Sequence, residues 1–334
     1  MNIFLTNLSY HATNDIIKLI KNSEFNDAYI VGSSEYPYGY TSASTFVDKL
    51  IFQPALVPNN DYLNFIINTC KNYKIDILFA IDEDEIKLLS KYKKFIPAIF
   101  ITPSPDVIEI FCNKKIANEH IAKLGINIPK YINSQKDLNG IISGKIISRK
   151  CISCASLGIK RYDIDESLDL NSIMNSDNIV QELINGVEYC VDVFCDKTGI
   201  PKIIVPRKRV AIRGGTTHKC LIERNERLIS LSKRICSEYK LFGLSNMQFM
   251  IENGTDNIFF LEVNPRIGAT TIATSLSSVN LIELFINHFL FGKELETYDY
   301  YMNKVKWGAF ISRYYAETIC VDYKDGKSTD KQDT

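Results

Sequence analysis

The chain has 334 residues, 46% of them hydrophobic and 23% charged, which calls for roughly two or three domains and excludes a disordered or fibrous class. Lys+Arg and Asp+Glu each number 39, so the formal net charge is zero and no global field selects nucleic acid or an anionic membrane. Any anion site has to be local.

The opening "MNIFLTNLSYHATND" carries no basic leader, and no run reaches the roughly 18 apolar residues of a spanning helix, so neither a secretory signal nor a membrane anchor is expected. Nine cysteines, an odd number scattered along the chain, suit reduced thiols of a cytoplasmic protein.

In chain order, "NIFLTNL" and "DAYIVGSS" read as strands around "HATNDIIKLIKN", where Ile16, Ile17, Leu19 and Ile20 recur at helical spacing. A helix over "DYLNFIINTCKNY", a buried strand "DILFAI", an acidic helix start at Asp82 to Glu85 and a strand "AIFITPSP" continue the pattern. Residues 1–105 are therefore expected to form an open α/β domain with a mostly parallel sheet. The acidic run reads as helix capping, since a helix N-terminus favours carboxylates. Apolar helices in this segment could serve a homodimer.

"SPDVIEIFCNKKIANEHIAKLGINIPKYI" follows as one helical pattern closed by Gly125 and Pro129. Beyond about residue 142 come "KIISRKC", "NIVQELI", "VEYCVDVFCD", "PKIIVPRKRVA", "LSNMQFMIE" and "NIFFLEVN", strands interrupted by one helix over "RNERLISLSKRICSEYKLFG". This is an antiparallel α+β region. The polar end, residues 321–334, is expected to be disordered.

The turn-rich "ENGTDN" joins the last two strands into a hairpin. Period-two alternation puts Met247, Phe249 and Ile251 on one face and Asn246, Gln248 and Met250 on the other; likewise Phe259, Leu261 and Val263 against Phe260, Glu262 and Asn264. Pairing Glu252 with Ile258 sets Met250 opposite Phe260 and Gln248 opposite Glu262. Gln248, Glu262 and Asn264 then converge as oxygen donors for a hard cation, with Arg266 beyond them as a fork for phosphate or carboxylate. Alternatively Glu262 and Asn264 face solvent and Arg266 merely pairs with Glu262.

Upstream, Lys150 leads into a loop of small residues, among them Ser153 and Ser156, through which backbone N–H groups could approach a phosphate. "VQELINGVEY" offers Glu182, a short linker of Leu183 and Ile184 for an adenine, and Glu188 for ribose hydroxyls. "VPRKRVAIRGGTTHKC" alternates Arg207, Arg209 and Arg213 onto one face beside Gly214 and Gly215, either an anion grip or a solvated basic edge. His218 is a weaker candidate. Cys151 and Cys154 form a C-x-x-C without a second pair at zinc spacing.

In this order the pieces resemble the ATP-grasp superfamily, and most closely the branch of the carbamoyl phosphate synthetase large chain and its carboxylate-amine ligase relatives. The resemblance rests on the helix with Lys114, the strand lysine Lys150, the "QELINGVEY" hinge and the Q…E-x-N-P-R string at Gln248, Glu262, Asn264 and Arg266. It implies a small lid subdomain over 106–180 and a large subdomain over 181–320. Lys114 and Lys150, with Ser153 and Ser156, would meet ATP phosphates; Glu182, Leu183 and Ile184 would hold adenine, and Glu188 ribose. Gln248, Glu262 and Asn264 would hold Mg²⁺, with Mn²⁺ an alternative, and Arg266 would stabilise the transferring phosphoryl group; Arg213, from its own place beside the glycines, is the candidate grip for the acceptor. Asn113 stands where many relatives carry aspartate. The implied activity is ATP-dependent ligation of a small carboxylate to an amine through an acyl phosphate; a carboxylate or carbamate kinase and a non-catalytic ATP-binding module are the alternatives.

Overall fold

The computed structural model describes residues 1–152, 158–321 and 323. Its N-terminal unit is a parallel sheet of β1 (Asn2–Leu5), β2 (Tyr29–Ser34), β3 (Lys49–Phe52) and β4 (Ile77–Phe79) in the order β3-β2-β1-β4, with α1 (His11–Lys21), α2 (Asn60–Asn72) and α3 (Glu83–Lys91) as its helices. After Asn2, β1 is apolar because both its faces are covered: Ile3 and Leu5 pack on the side of α1, while Phe4 joins Tyr62, Ile66 and Leu89 from α2 and α3. "AIFITPSP" forms no full strand; only Ile99 bridges to Ile77 before the prolines end the pairing.

The expected long helix after residue 104 is two helices, α4 (Pro105–Cys112) and α5 (Lys114–Lys123), broken at Asn113. Asn113 adopts φ −116° and ψ 110°, and its side chain accepts from the Lys115 and Ile116 N–H groups. An amide or a carboxylate serves equally well at an N-cap, so asparagine here keeps α5 anchored.

A three-stranded antiparallel sheet follows, β5 (Lys145–Lys150), β6 (Lys160–Asp163) and β7 (Asn178–Glu182), ordered β6-β5-β7, with the short α6 (Leu170–Ile173) on its own small core of Ile146, Val180, Leu170 and Ile173. The main unit is a six-stranded antiparallel sheet, β12-β11-β8-β9-β10-β13, from β8 (Gly186–Cys195), β9 (Pro201–Arg213), β10 (Thr216–Ile222), β11 (Gly243–Glu252), β12 (Ile258–Asn264) and β13 (Phe310–Ser312). α7 (Glu226–Tyr239), α8 (Thr271–Ser277), α9 (Leu281–Phe289) and α10 (Tyr298–Asn303) complete it. Val191, Val193, Met247 and Phe249 on one face of this sheet share a continuous core with α9 and with the α1 side of the parallel sheet. The opposite face is left for the site. The mixed α/β and α+β fold agrees with expectation, while β3, β6, β10 and β13 were not evident in the sequence pattern. Among the described residues no helix is long and apolar enough to cross a membrane, and the described cysteines are free thiols.

Candidate active site

One cleft of about 540 Å³ lies between the three-stranded sheet and the open face of the six-stranded sheet. Its size suits a small-molecule or nucleotide pocket, typically ~300–1,000 Å³.

The floor is set by strand alternation. On β11, Asn246, Gln248 and Met250 line the cleft while Met247 and Phe249 are fully buried in the core. β12 pairs Asn246 with Asn264, Met247 with Val263 and Gln248 with Glu262, as expected, but a register shift follows and Phe249 pairs with Phe260. Leu261 is thus the extra residue of a bulge. The expected faces are corrected accordingly: Phe260 and Val263 enter the core, and Leu261 joins Glu262 and Asn264 at the cleft. Towards the turn, Ile251 faces Ile258 and Met250 faces Phe259, one residue out from the expected pairing. The bulge takes up the slip before it reaches the polar corner.

Gln248, Glu262 and Asn264 therefore line a common wall. Asn264 Nδ2 donates to Glu262 Oε1 at 3.1 Å, and Lys114 Nζ stands 3.7 Å from Glu262 Oε2. One carboxylate and two amide carbonyls are a hard-oxygen set too sparse to enclose a cation. They fit one that keeps other oxygens from water or phosphate, as Mg²⁺ does. Among the described residues no group of three His, Cys, Asp or Glu side chains forms a metal site of another kind.

Beneath this wall lies a buried ion pair. Arg207, with no exposed surface, meets Asp192 at 2.9 Å and donates to Thr270 Oγ1 at 2.9 Å; Asp192 also accepts from Asn246 Nδ2 and Thr274 Oγ1, each at 2.6 Å. The network ties β8, β9, β11 and α8 together under the corner. Arg207 is thus a floor strut and not an exposed anion grip.

Arg209 lines the cleft, pairing with Glu188 and donating to the Gly215 carbonyl at 2.7 Å. Arg213 stands at the exposed end of β9 and does not line the cleft; its neighbour Ile212 does. Bulges between β9 and β10 interrupt the alternation that would have placed Arg213 beside Arg209. His218 sits beyond the lining as well, with its ring 6.4 Å from that of Tyr315.

The three-stranded sheet forms the opposing wall. On β5, Ile147 and Arg149 face the cleft, and Lys150, one residue further, is exposed and outside it. Lys150, expected at the phosphates, thus stands outside the lining, and its neighbour Arg149 lines the cleft. Arg149 Nη2 donates to Gln181 Oε1 at 2.5 Å, while its Nε is buried without a partner. Burial pushes its pKa down, partly offset by Glu262, Tyr131 and Glu188. Ser153 and Ser156, along with Cys154, lie outside the described residues.

Glu182, Leu183, Ile184 and Glu188 all line the cleft at the connection between the two sheets. Glu182 is held by the Lys130 N–H, which donates to Oε1 at 2.8 Å, and the Leu183 N–H donates to the Lys145 carbonyl at 3.0 Å. Gly186 makes the crossing close: a Cβ there would stand 2.2 Å from the Ile251 carbonyl oxygen.

Arg266 completes the site at the end nearest the parallel-sheet domain, 9% exposed, its guanidinium carbon 5.5 Å from the centre of the Tyr10 ring. Nη2 lies 2.6 Å from Glu83 Oε1 and 3.3 Å from Asn264 Oδ1, and Nη1 donates to the Ile267 carbonyl at 3.2 Å. Burial alone would lower its pKa, but Glu83, Tyr10 and Glu262 together outweigh that and raise it. Sequence spacing missed Glu83, Arg149, Tyr10 and Asp192, whose partners lie far away in the chain.

A family profile described as "ATP-grasp in the biosynthetic pathway with Ter operon" matches residues 175–307. The carbamoyl phosphate synthase large chain of Agathobacter rectalis is 26% identical over 259 residues, covering 71% of this chain and 23% of that one. The chain thus spans about a quarter of the length of the curated relatives it matches. The biotin carboxylase domain of Hydrogenobacter thermophilus 2-oxoglutarate carboxylase, solved with MgADP, ADP and bicarbonate, superposes with a TM-score of 0.68 at 15% identity, over 92% of this chain and 73% of that one. The L-amino acid ligase of Bacillus licheniformis does so with a TM-score of 0.65 at 14% identity, over 88% and 75%. The profile match thus falls on the segment that carries the Gln248, Glu262, Asn264 and Arg266 corner, and the chain shares the fold of these solved structures.

Proposed function

We propose that this chain is an ATP-dependent, ADP-forming ligase that joins a small carboxylate to an amine through an acyl phosphate. The observation that carries the reading is the meeting of Gln248, Glu262, Asn264, Lys114 and Arg266 on one cleft. Relatives support it: one neighbour is named as an L-amino acid ligase, and another was solved with MgADP.

In this reading Glu182, Leu183 and Ile184 receive the adenine, Glu188 the ribose, and Lys114 and Arg149 the phosphates. Gln248, Glu262 and Asn264 hold Mg²⁺, which when bound neutralises phosphate charge. Ser153 and Ser156 keep their proposed place at the phosphates. Phosphoryl transfer asks the protein mainly for position and charge. The acceptor carboxylate oxygen attacks the γ-phosphorus, the bridging P–O bond breaks, and ADP leaves with the electron pair. An amine then attacks the acyl carbon, expelling phosphate and losing a proton. Lys114, held 3.7 Å from Glu262, and Arg266, held by Glu83 and Asn264, supply fixed positive charge without reorganisation. Arg209, inside the cleft, replaces Arg213 as the proposed acceptor-side cation.

The test is an ADP-release screen over pairs of amino acids and other small carboxylates and amines, with mass detection of products. ADP formation that requires a carboxylate, with an amide as product, supports the ligase. A stable phosphorylated product without amide points to a kinase, and MgATP binding without ADP under any pair to a non-catalytic module.

A further inference from the structure

The acidic run at the start of α3 divides its labour. Asp82 Oδ1 accepts from the Asp84 N–H at 2.9 Å and caps the helix. Glu85 turns inward and is fully buried, accepting from Thr6 Oγ1 and Tyr62 OH, each at 2.7 Å. Glu83 does neither. Its carboxylate crosses to the other unit and meets Arg266 Nη2 at 2.6 Å.

Capping leaves this contact unexplained, because Asp82 already fills that role and any acid in the first turn would satisfy the helix. The pair is also not a loose surface contact: the Arg266 side chain is 7% exposed and that of Glu83 20%. Glu83 and Asn264 fix Nη2 and the Ile267 carbonyl fixes Nη1, so the guanidinium plane is held from two sides. The Arg266 Nε is buried without a partner in a residue that lines the cleft.

We propose that Glu83 is a positioning residue for the phosphoryl-transfer step: the N-terminal domain, through this one carboxylate, sets the orientation in which Arg266 meets the transferring phosphoryl group. The inference rests on the proposed role of Arg266 in phosphoryl transfer. Displacing such a group by about an ångström costs on the order of 10²-fold.

Calorimetric titration reads this without knowledge of the acceptor. MgADP is titrated alone and with aluminium fluoride, a stand-in for the transferring phosphoryl group, into wild type, Glu83→Gln, Arg266→Gln and the double variant, each checked by thermal melting. The expected result is an MgADP affinity within about twofold in all four proteins, with the tightening by aluminium fluoride reduced about 10- to 100-fold in each single variant. The double variant loses no more than Arg266→Gln. Glu83→Asp, which keeps the charge on a shorter stem, recovers part of the loss. A purely structural Glu83 would move the melting temperature and leave the tightening intact.

Full tightening in Glu83→Gln beside its loss in Arg266→Gln, or losses that multiply in the double variant, would overturn the proposal alone. Full tightening in Arg266→Gln, no tightening in the wild type, or no MgADP binding, would overturn the reading of the site and the proposal with it.

Discussion

Arg149 and Lys150 are adjacent on one strand, and only Arg149 lines the cleft. Arg149→Ala and Lys150→Ala therefore separate the geometry from the sequence motif. A charge-assisted hydrogen bond to a ligand oxygen contributes ~1.5–3 kcal/mol, so Arg149→Ala should weaken MgATP binding by roughly 10- to 150-fold. The same substitution strands the Gln181 Oε1, whose residue is fully buried, and should cost on the order of 1–3 kcal/mol of stability. Lys150 is exposed, with its stem beside Gly158, and its removal should change affinity by less than about twofold. Titration calorimetry with a non-hydrolysable ATP analogue, alongside thermal melting, measures both. A larger affinity loss in Lys150→Ala than in Arg149→Ala would refute the placement of β5 against the nucleotide.

Asp192→Ala leaves the fully buried Arg207 guanidinium without its counter-ion, and denaturant titration should find ~3–5 kcal/mol of stability lost. Gly186→Ala drives a Cβ against the Ile251 carbonyl and should destabilise by ~1–3 kcal/mol while weakening nucleotide binding, because the strain falls beside Leu183 and Ile184. Glu85 titrates with a sign fixed by burial, which raises its pKa from 4.5 to about 7 in the folded protein. The folded state then binds more protons than the unfolded chain between those values. The resulting stability is complete below about pH 4.5 and lost as pH rises through 7, a fall of roughly 3 kcal/mol that Glu85→Gln should abolish in pH-dependent melting.

What could be read from the sequence follows the range of the physics involved. Gln248 and Glu262 were placed opposite each other by local alternation and a short turn, and the structure pairs them. The bulge at Leu261 was invisible, since nothing in "IFFLEVN" marks an extra residue; burial of Phe260 in the shared core decides which side chain turns inward. Lys150 drew attention as a strand-end lysine, and alternation, with Ile146 and Ile147 on opposite faces, did not single out Arg149. The helix break at Asn113 was written in an ordinary capping residue within an otherwise helical pattern. Asp192 with Arg207 and Glu83 with Arg266 join positions far apart in the chain, and no spacing rule reaches across such gaps.

In the proposed reading, the corner of Glu262, Asn264 and Gln248 supports metal-assisted phosphoryl transfer. ADP release from MgATP by Glu262→Ala, measured beside wild type with the carboxylate that stimulates it, tests this most directly. Wild type should release ADP in a carboxylate-dependent manner, and the variant, folded to the same secondary structure content, should lose turnover by at least about 10²-fold. ADP release at an unchanged rate in Glu262→Ala would contradict the account.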